Sequence, residues 1–502
     1  MSSESAAVSR SAADGPRRED TVGPEYAELA AFFDRFALDD ARWRRRNAAY
    51  HTWISQLHRF QISPGARVLE IGSGSGDLLA SLSPAVGVGI DISEEMVARA
   101  SQRHPELRFE RTAGEHLDLG ETFDYVVLSD LLPYVHDLVA LFDRVGAHCH
   151  PASRVVIHTY SRLWRPAIRL AELLRLKPVK PIRNWIAPEV IRSLLELADF
   201  EVVTETRRML LPKRIPFLNL ALNGFLGSVW PFTHLCLTYW VVARPRSQPT
   251  KRPSVSVVCP CRNERGNIAG IVDRLPVGDT PTELVFVEGG STDGTREEIE
   301  RVIAARSDRD LKLVAQPGRG KGDAVRAGFA ASKHDVLAIL DGDLSVRPED
   351  TPKFFRACAD GRGDLVNGTR LVYDIEPGAM RFLNLLGNKV FRWLFKGITG
   401  QLVTDTLCGT KVLERTTYER IAAGRSYFGE FDPFGDFDLL LGAARLNLKI
   451  VDLPVRYQPR TYGTTNISRW RHGWLLLRMT AFAFWKFRVE PFRSHRSPSG
   501  TT

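Results

Sequence analysis

The chain has 502 residues, enough for about three domains, and 44% apolar with 25% charged residues excludes wholesale disorder or a collagen-like rod. Cys149, Cys236, Cys259, Cys261, Cys358 and Cys408 are scattered and form no CxxC pair, which excludes a disulfide framework and a zinc ribbon. The net charge of +9 is concentrated: between Arg456 and Thr502 nine Arg/Lys face one acid, Glu490. Such a tail suits an anionic surface, either nucleic acid or the cytoplasmic leaflet of a membrane, or plain solvation.

Residues 1–25 begin MSSESAAVSRSAADGPRRED, polar and small, with no apolar run for a secretory signal. Disorder there and a cytoplasmic chain are the expectation. A first domain is expected over 26–244. PRSQPTKRP marks a linker over 245–253, a second domain follows over 254–470, and a basic amphipathic segment closes the chain over 471–502. Strand patterns alternate with helical ones in both halves, which predicts two α/β domains with mostly parallel sheets.

In the first half a buried strand runs from Arg67 into Gly72, Gly74 and Gly76, with Glu70 just before the turn. Glycines so spaced let the backbone turn sharply and approach a ligand. A second strand, Val86–Ile90, ends in Asp91, where a carboxylate can meet ribose hydroxyls. A further strand, Phe123–Ser129, leads into a loop with Asp130, Tyr134, His136 and Asp137. The stretch 215–243 is predicted as a short helix, a loop and a terminal strand rather than a membrane span, because Pro216, Asn219, Gly224 and Pro231 interrupt it.

These residues resemble the class I S-adenosylmethionine-dependent methyltransferases over roughly residues 40–245. The resemblance implies a Rossmann-like fold, with Glu70, Gly72, Gly74, Gly76, Asp91 and Ser129 at the cofactor. The family's usual adenine-binding Asp is replaced here, with Glu115 as the substitute. A nicotinamide-binding domain and a cofactor-free scaffold are the alternatives. His136 and His158 are candidate bases or, equally, hydrogen-bonded structural histidines.

The second half opens with the strand Ser254–Pro260, followed by Asn263 and Glu264. A strand at 284–287 runs into Glu288-Gly-Gly-Ser-Thr-Asp-Gly294, and one at 336–340 ends in Asp341-Gly-Asp343. Two carboxylates at i and i+2 after an apolar strand suit a hard divalent cation that keeps phosphates as its other ligands. Apolar residues at helical spacing with interleaved basic ones, over 380–396 and 474–487, predict helices that lie on a membrane surface or pack into a core.

Together these segments resemble the family 2 glycosyltransferases of the GT-A fold. Gly320–Gly328 and Asp405–Lys411 are similar to segments of the dolichyl- and polyprenyl-phosphate glucosyl- and mannosyltransferases. The resemblance implies a nucleotide-diphosphate sugar donor bound by Pro260, Asn263, Glu264, Glu288 and Lys321. It implies Mg²⁺ or Mn²⁺ on Asp341 and Asp343, and an inverting site that includes Asp438, with Arg370 and Arg460 for the phosphate of a polyprenyl-phosphate or other lipid-linked acceptor. The expectation is a bifunctional enzyme, peripheral on the inner face of the cytoplasmic membrane, with no nucleic-acid partner. The alternative is a soluble acceptor with an inactive methyltransferase-like docking domain.

Overall fold

A computed structural model of the chain describes residues 22–181, 184–215, 218–246, 254–276, 280–372, 382–427, 435–460, 462–463 and 469–492. Most of the expected disordered start and linker, residues 1–21 and 247–253, lies outside them. Two seven-stranded sheets stand on either side of that linker.

The first sheet is built from β1 (Arg67–Ile71), β2 (Val86–Asp91), β3 (Arg108–Arg111), β4 (Phe123–Ser129), β5 (Cys149–Tyr160), β6 (Phe200–Arg208) and β7 (Thr238–Pro245), in the order β3-β2-β1-β4-β5-β7-β6. β1 to β5 are parallel; β7 alone runs antiparallel to its neighbours β5 and β6, so β6 at the edge points the same way as β1 to β5. The central strands are buried on both faces, as their near-continuous Val, Leu and Ile demand. β3, Arg-Phe-Glu-Arg, like β5 and β6, has no strand assigned to it in the sequence reading. It is a half-exposed edge strand with no apolar run.

The second sheet comprises β8 (Val255–Cys261), β9 (Thr282–Glu288), β10 (Asp310–Ala315), β11 (Val336–Ile339), β12 (Leu365–Thr369), β13 (Lys411–Glu414) and β14 (Ile450–Pro454), ordered β10-β9-β8-β11-β13-β12-β14. β13 is antiparallel to both neighbours, and the other pairings are parallel. The strand order reverses beside β1 in the first sheet and beside β8 in the second. At such points the loops leaving the carboxyl ends diverge and open a crevice. Gly328 shows how tightly the second sheet is covered. A Cβ there would stand 2.2 Å from Val258 Cγ1, so the helix Lys321–Ala331 needs glycine where it crosses β8.

The halves meet through buried charge. Arg154, 1% exposed, pairs with Tyr125 just past the irregularity in β5 and reaches Asp364, just before β12, with Nη2 to Oδ2 at 2.8 Å. Arg244, at the end of β7, meets the other oxygen of Asp364 at 2.9 Å and Glu201 at 2.5 Å. Lys449 closes the cluster on Glu201. Burial opposes ionisation of Asp364, but Arg154 and Arg244 overcome it and hold its carboxyl below the usual range. Backbone acceptors take more of the donors: Arg154 Nε gives to Asn447 O at 2.6 Å and Arg244 Nη2 to Gly361 O at 2.6 Å.

The last described segment returns to the first half. The helix Arg469–Phe484 continues in turns to Phe492 and buries Met479, Phe487, Val489 and Phe492. Phe487 stacks edge-on against Phe60 at 5.4 Å, and Phe492 against Trp53 at 6.2 Å. The basic C-terminal segment is therefore partly core through Phe492. Residues 493–502 lie outside the described residues.

Removing one member of a buried charge cluster leaves another charge uncompensated, at about 3–5 kcal/mol. Arg244→Met is expected to lower unfolding free energy by about that much in a denaturant titration. Arg192→Met, which breaks the exposed pair with Glu205, is expected to cost less than about 1 kcal/mol. Equal effects of the two would contradict the assignment.

Candidate active sites

The first crevice lies where β1 and β4 part. Gly72, Gly74 and Gly76 all have positive φ (77°, 51° and 74°), a conformation other residues rarely adopt. Gly74 N donates to Asp91 Oδ2 at 2.9 Å, and Ser93 N to Asp91 Oδ1 at 3.0 Å, so the loop is tied to the end of β2. A Cβ on Gly74 would meet nothing within 4 Å, because the loop faces a cavity of about 220 Å³.

Carboxylates gather on that cavity: Asp40, Glu70, Asp91, Glu115 and Asp130. Glu70 Oε2 and Ser73 Oγ are buried without a hydrogen-bond partner. Burial pushes the Glu70 carboxyl up to about 8 against the pull of Arg44, and burial likewise raises Asp91. Glu115 Oε1 accepts from Tyr26 Oη and from the amides of His136 and Asp137, the latter two at 3.1 Å. It joins the N-terminal segment to the loop after β4.

Ser129 lines the cavity, and its hydroxyl lies 3.2 Å from His158 Nδ1. His158 itself is fully buried against Trp240 and does not line the cavity. Burial lowers its pKa. His136 lies in a neighbouring depression with Trp185 and Asn184. The polar groups facing the cavity beside Ser129 are instead Tyr50 and Asp130, with Tyr50 Oη donating to Asp130 Oδ2 at 2.8 Å.

Sequence reasoning missed this wall. Tyr26, Leu29, Phe33 and Phe36 line the cavity from the segment entering and forming the helix Ala27–Arg46. Their spacing of three and four residues was the available signal. Tyr50 and His51 come from the next helix, Ala48–Gln61, and Lys180 from a loop. Burial, then Arg44 and Lys180, depress His51 to about 3 and keep it neutral.

The second crevice lies where β8 and β11 part. Asn263, at φ 58°, accepts from Thr292 N at 2.8 Å and donates its own amide to Ser291 Oγ at 3.0 Å. Glu288 is buried and accepts from Ser291 N at 2.5 Å. Gly289 N donates to Cys261 O at 3.0 Å, so the loop after β9 is fastened to the strand that carries Pro260.

Asp341 and Asp343 each hold a cationic side chain. Lys321 Nζ lies 2.6 Å from Asp341 Oδ1, and Arg460 Nη2 lies 3.0 Å from Asp343 Oδ2. Arg460 also reaches Glu264 Oε1 at 3.0 Å. Burial opposes ionisation of Asp341, yet Lys321 holds its carboxyl below the usual range. The fit is close: a Cβ on Gly409 would stand 2.2 Å from Asp341 Oδ2 and 2.3 Å from Lys321 Nζ. Asp341, Asp343, Lys321, Glu264 and Arg460 thus form one cluster. Among the described residues no group of three or more His, Cys, Asp or Glu side chains is arranged for a metal ion.

Arg370 and Asp438 have other partners. Arg370 pairs bidentately with the fully buried Asp405, Nε to Oδ2 at 2.7 Å and Nη2 to Oδ1 at 2.8 Å. The planar fork that suits a phosphate is turned onto a carboxylate. Asp438 pairs with Arg425 at 2.8 Å.

Comparison with known proteins agrees with both halves. The family model described as "Methyltransferase domain" matches residues 42–205, and "Glycosyl transferase family 2" matches 256–420. Glycosyltransferase AglJ of Haloferax volcanii is 31% identical over 44% of this chain and 69% of its own length. The low-salt glycan biosynthesis hexosyltransferase Agl6 of the same organism is 29% identical over 44% of this chain, which spans about half of it (52%). An uncharacterized glycosyltransferase of Mycobacterium tuberculosis is 28% identical over 46% of this chain and 97% of its own.

Glu70 gives a pH test. Its folded pKa, about 8, lies above the ordinary 4.5, so between those values the folded chain keeps a proton that the unfolded chain releases. Stability from this group therefore falls as pH rises through that window. Glu70→Gln is expected to flatten the decline in Tm between about pH 5 and about pH 8 and to be the more stable chain at the upper end. Parallel Tm curves would contradict the burial argument.

Proposed function

Because the chain belongs to the family 2 glycosyltransferases through its C-terminal half and carries a methyltransferase domain in its N-terminal half, we propose that it glycosylates a polyprenyl phosphate from a nucleoside-diphosphate sugar and methylates a glycan or lipid-linked acceptor. The observation behind the first activity is the Asp341/Asp343 pair at the carboxyl ends of β8 and β11, each aspartate under a basic side chain.

Pro260, Asn263, Glu264 and Glu288 hold the nucleoside in this reading. Asn263 and Glu288 shape the loop that receives it. Mg²⁺ or Mn²⁺ held by Asp341 and Asp343 would offset the charge of the departing nucleoside diphosphate. Lys321 and Arg460 sit on those carboxylates and are within reach of phosphates brought to them. The acceptor phosphate oxygen forms the new bond to the anomeric carbon as the bond to the diphosphate breaks on the opposite face, which inverts the centre. A phosphate monoester is already an anion, so the site needs positioning cations more than a strong base. Arg460 is the candidate for that phosphate. Arg370 is a positioning residue, holding Asp405 and with it the turn that brings Gly409 beneath Asp341.

In the first crevice, S-adenosylmethionine would supply a methyl group from a sulfonium centre. The cavity suits a cationic nucleoside: Glu70 Oε2 lacks a partner, Asp91 stands at the end of β2, and aromatic rings form the wall. Asp91 and the Gly72–Gly76 loop would hold the ribose and amino-acid parts. The assignment places the enzyme on the inner face of the cytoplasmic membrane, against anionic lipid, and assigns no role to nucleic acid.

Purified protein with Mg²⁺ or Mn²⁺, a panel of nucleotide sugars and undecaprenyl or dolichyl phosphate is expected to yield a sugar-phosphate-lipid by mass spectrometry. Asp343→Asn is expected to lower the rate by about 100-fold or more. Nucleoside diphosphate release without a lipid product would overturn the acceptor assignment. S-adenosylmethionine is expected to bind with saturable heat in calorimetry, and Asp91→Ala to weaken it by about tenfold or more. The absence of heat and of any thermal shift would remove the methyltransferase activity.

A further inference from the structure

Four segments of this chain share an unusual surface. The stretches 213–235, 382–403 and 469–489 contain no Asp or Glu, and 162–180 contains six Arg/Lys against one acid, Glu172. Large apolar side chains stand in solvent on each of them. The helix Arg165–Leu173 buries Ile168 but turns Leu170 (55% exposed) and Leu173 (79%) outward, with Val179 beyond it. The stretch 213–235 exposes Leu218, Phe225, Trp230 and Leu235. Trp393 and Val390 do the same on the helix Phe382–Thr399, and Trp474, Leu477 and Trp485 on the C-terminal helix and its extension. Soluble domains rarely leave so many large apolar groups together without a partner.

The segments touch one another in sequence. Trp164 Nε1, at the start of the first, donates to Leu235 O at 2.8 Å. Phe225 packs edge-on against Phe484 at 5.8 Å, and a Cβ on Gly224 would lie 3.5 Å from Val489 Cα. Arg488 then donates to Gly397 O near the end of Phe382–Thr399. On the C-terminal helix the exposed positions 474, 477, 481 and 485 recur every three or four residues, a single face. Exposed Lys213, Arg214, Lys389, Arg392, Lys396 and Arg478 accompany the apolar groups. Among the described residues no helix is long and apolar enough to cross a membrane, so such a face would lie on a bilayer rather than through it.

We propose that these four segments form one docking face for a bilayer with anionic head groups, and that the methyltransferase half binds the same bilayer as the glycosyltransferase half. The acceptor for methylation is then a membrane-borne molecule: the loop after Arg165–Leu173 supplies Lys180 to the methyltransferase cavity. The occupant is a bilayer because the surface pairs tryptophans and branched apolar groups with basic side chains and almost no acid, the composition that anionic lipid recognises. The docking face itself stands on the exposed residues; the lipid-borne nature of the substrates rests on the functional reading above.

The test is flotation of the full chain with phosphatidylcholine vesicles carrying phosphatidylglycerol, against phosphatidylcholine alone. Trp230→Glu and Leu170→Glu/Leu173→Glu probe the first half, and Trp393→Glu the second. All are exposed positions, and circular dichroism verifies the fold. Wild type is expected to float with the anionic vesicles, and each variant to reduce the bound fraction by about fivefold or more. First-half variants that bind like wild type would overturn the shared face. So would a wild type that ignores anionic vesicles, or one that hides the face in a stable dimer by light scattering. Glycolipid synthesis in detergent micelles, assayed in parallel, separates the two readings. Product without vesicle binding overturns the docking face alone, whereas vesicle binding without product supports the face and removes the acceptor.

Discussion

The part-buried carboxylate of Asp364, gripped from both sides by the buried Arg154 and Arg244, is the constraint on which the two-part architecture depends. Each partner by itself would be an unaffordable charge in the interior. Together with Glu201 and Lys449 they satisfy one another and fix the edge of one sheet against the edge of the other. The cluster sits at the amino ends of β12 and β14 and in the amino-terminal half of β5, while both crevices open at the carboxyl ends of their sheets. Structure and chemistry are thereby separated along the strands: one end holds the frame and the other is left for ligands.

The two crevices differ in how their carboxylates are paired. Around Gly72–Gly76 the cavity carries unpaired carboxylate and aromatic surface, and burial raises Glu70 until it holds a proton. A cation would relieve it. Around Asp341 and Asp343 the carboxylates are already covered by Lys321 and Arg460, so the cluster is balanced and ready to be rearranged by an ion and phosphates. The proposed function assigns a cationic nucleoside to the first and a nucleoside diphosphate to the second.

Both ligand loops were legible in the sequence because they are local. Gly72-Ser-Gly-Ser-Gly76 and Asp341-Gly-Asp343 follow apolar strands directly, and their meaning needs only the strand and the turn. What escaped was non-local. Arg154 and Asp364 are 210 positions apart, and nothing in either segment indicates the other. The bidentate grip of Arg370 on Asp405 is likewise non-local, spanning 35 positions. The aromatic wall over the first cavity comes from the segment 26–36, whose periodicity reads as any core helix until the fold shows what it covers. In the C-terminal segment the sequence left membrane surface and core both open, and the fold shows a buried face of Met479, Phe487 and Phe492.

If one rigid frame carries both transferase sites, the strands around the charge cluster must open together. Native-state hydrogen exchange followed by mass spectrometry measures this directly. Amides of residues 154–157 and 241–244 in the first sheet, and of 365–367 and 450–452 in the second, are predicted to exchange as a single slow class, with equal dependence on denaturant. Separate opening of the two sets, one half unfolding while the other stays protected, would contradict the shared frame and leave two independent domains on a tether.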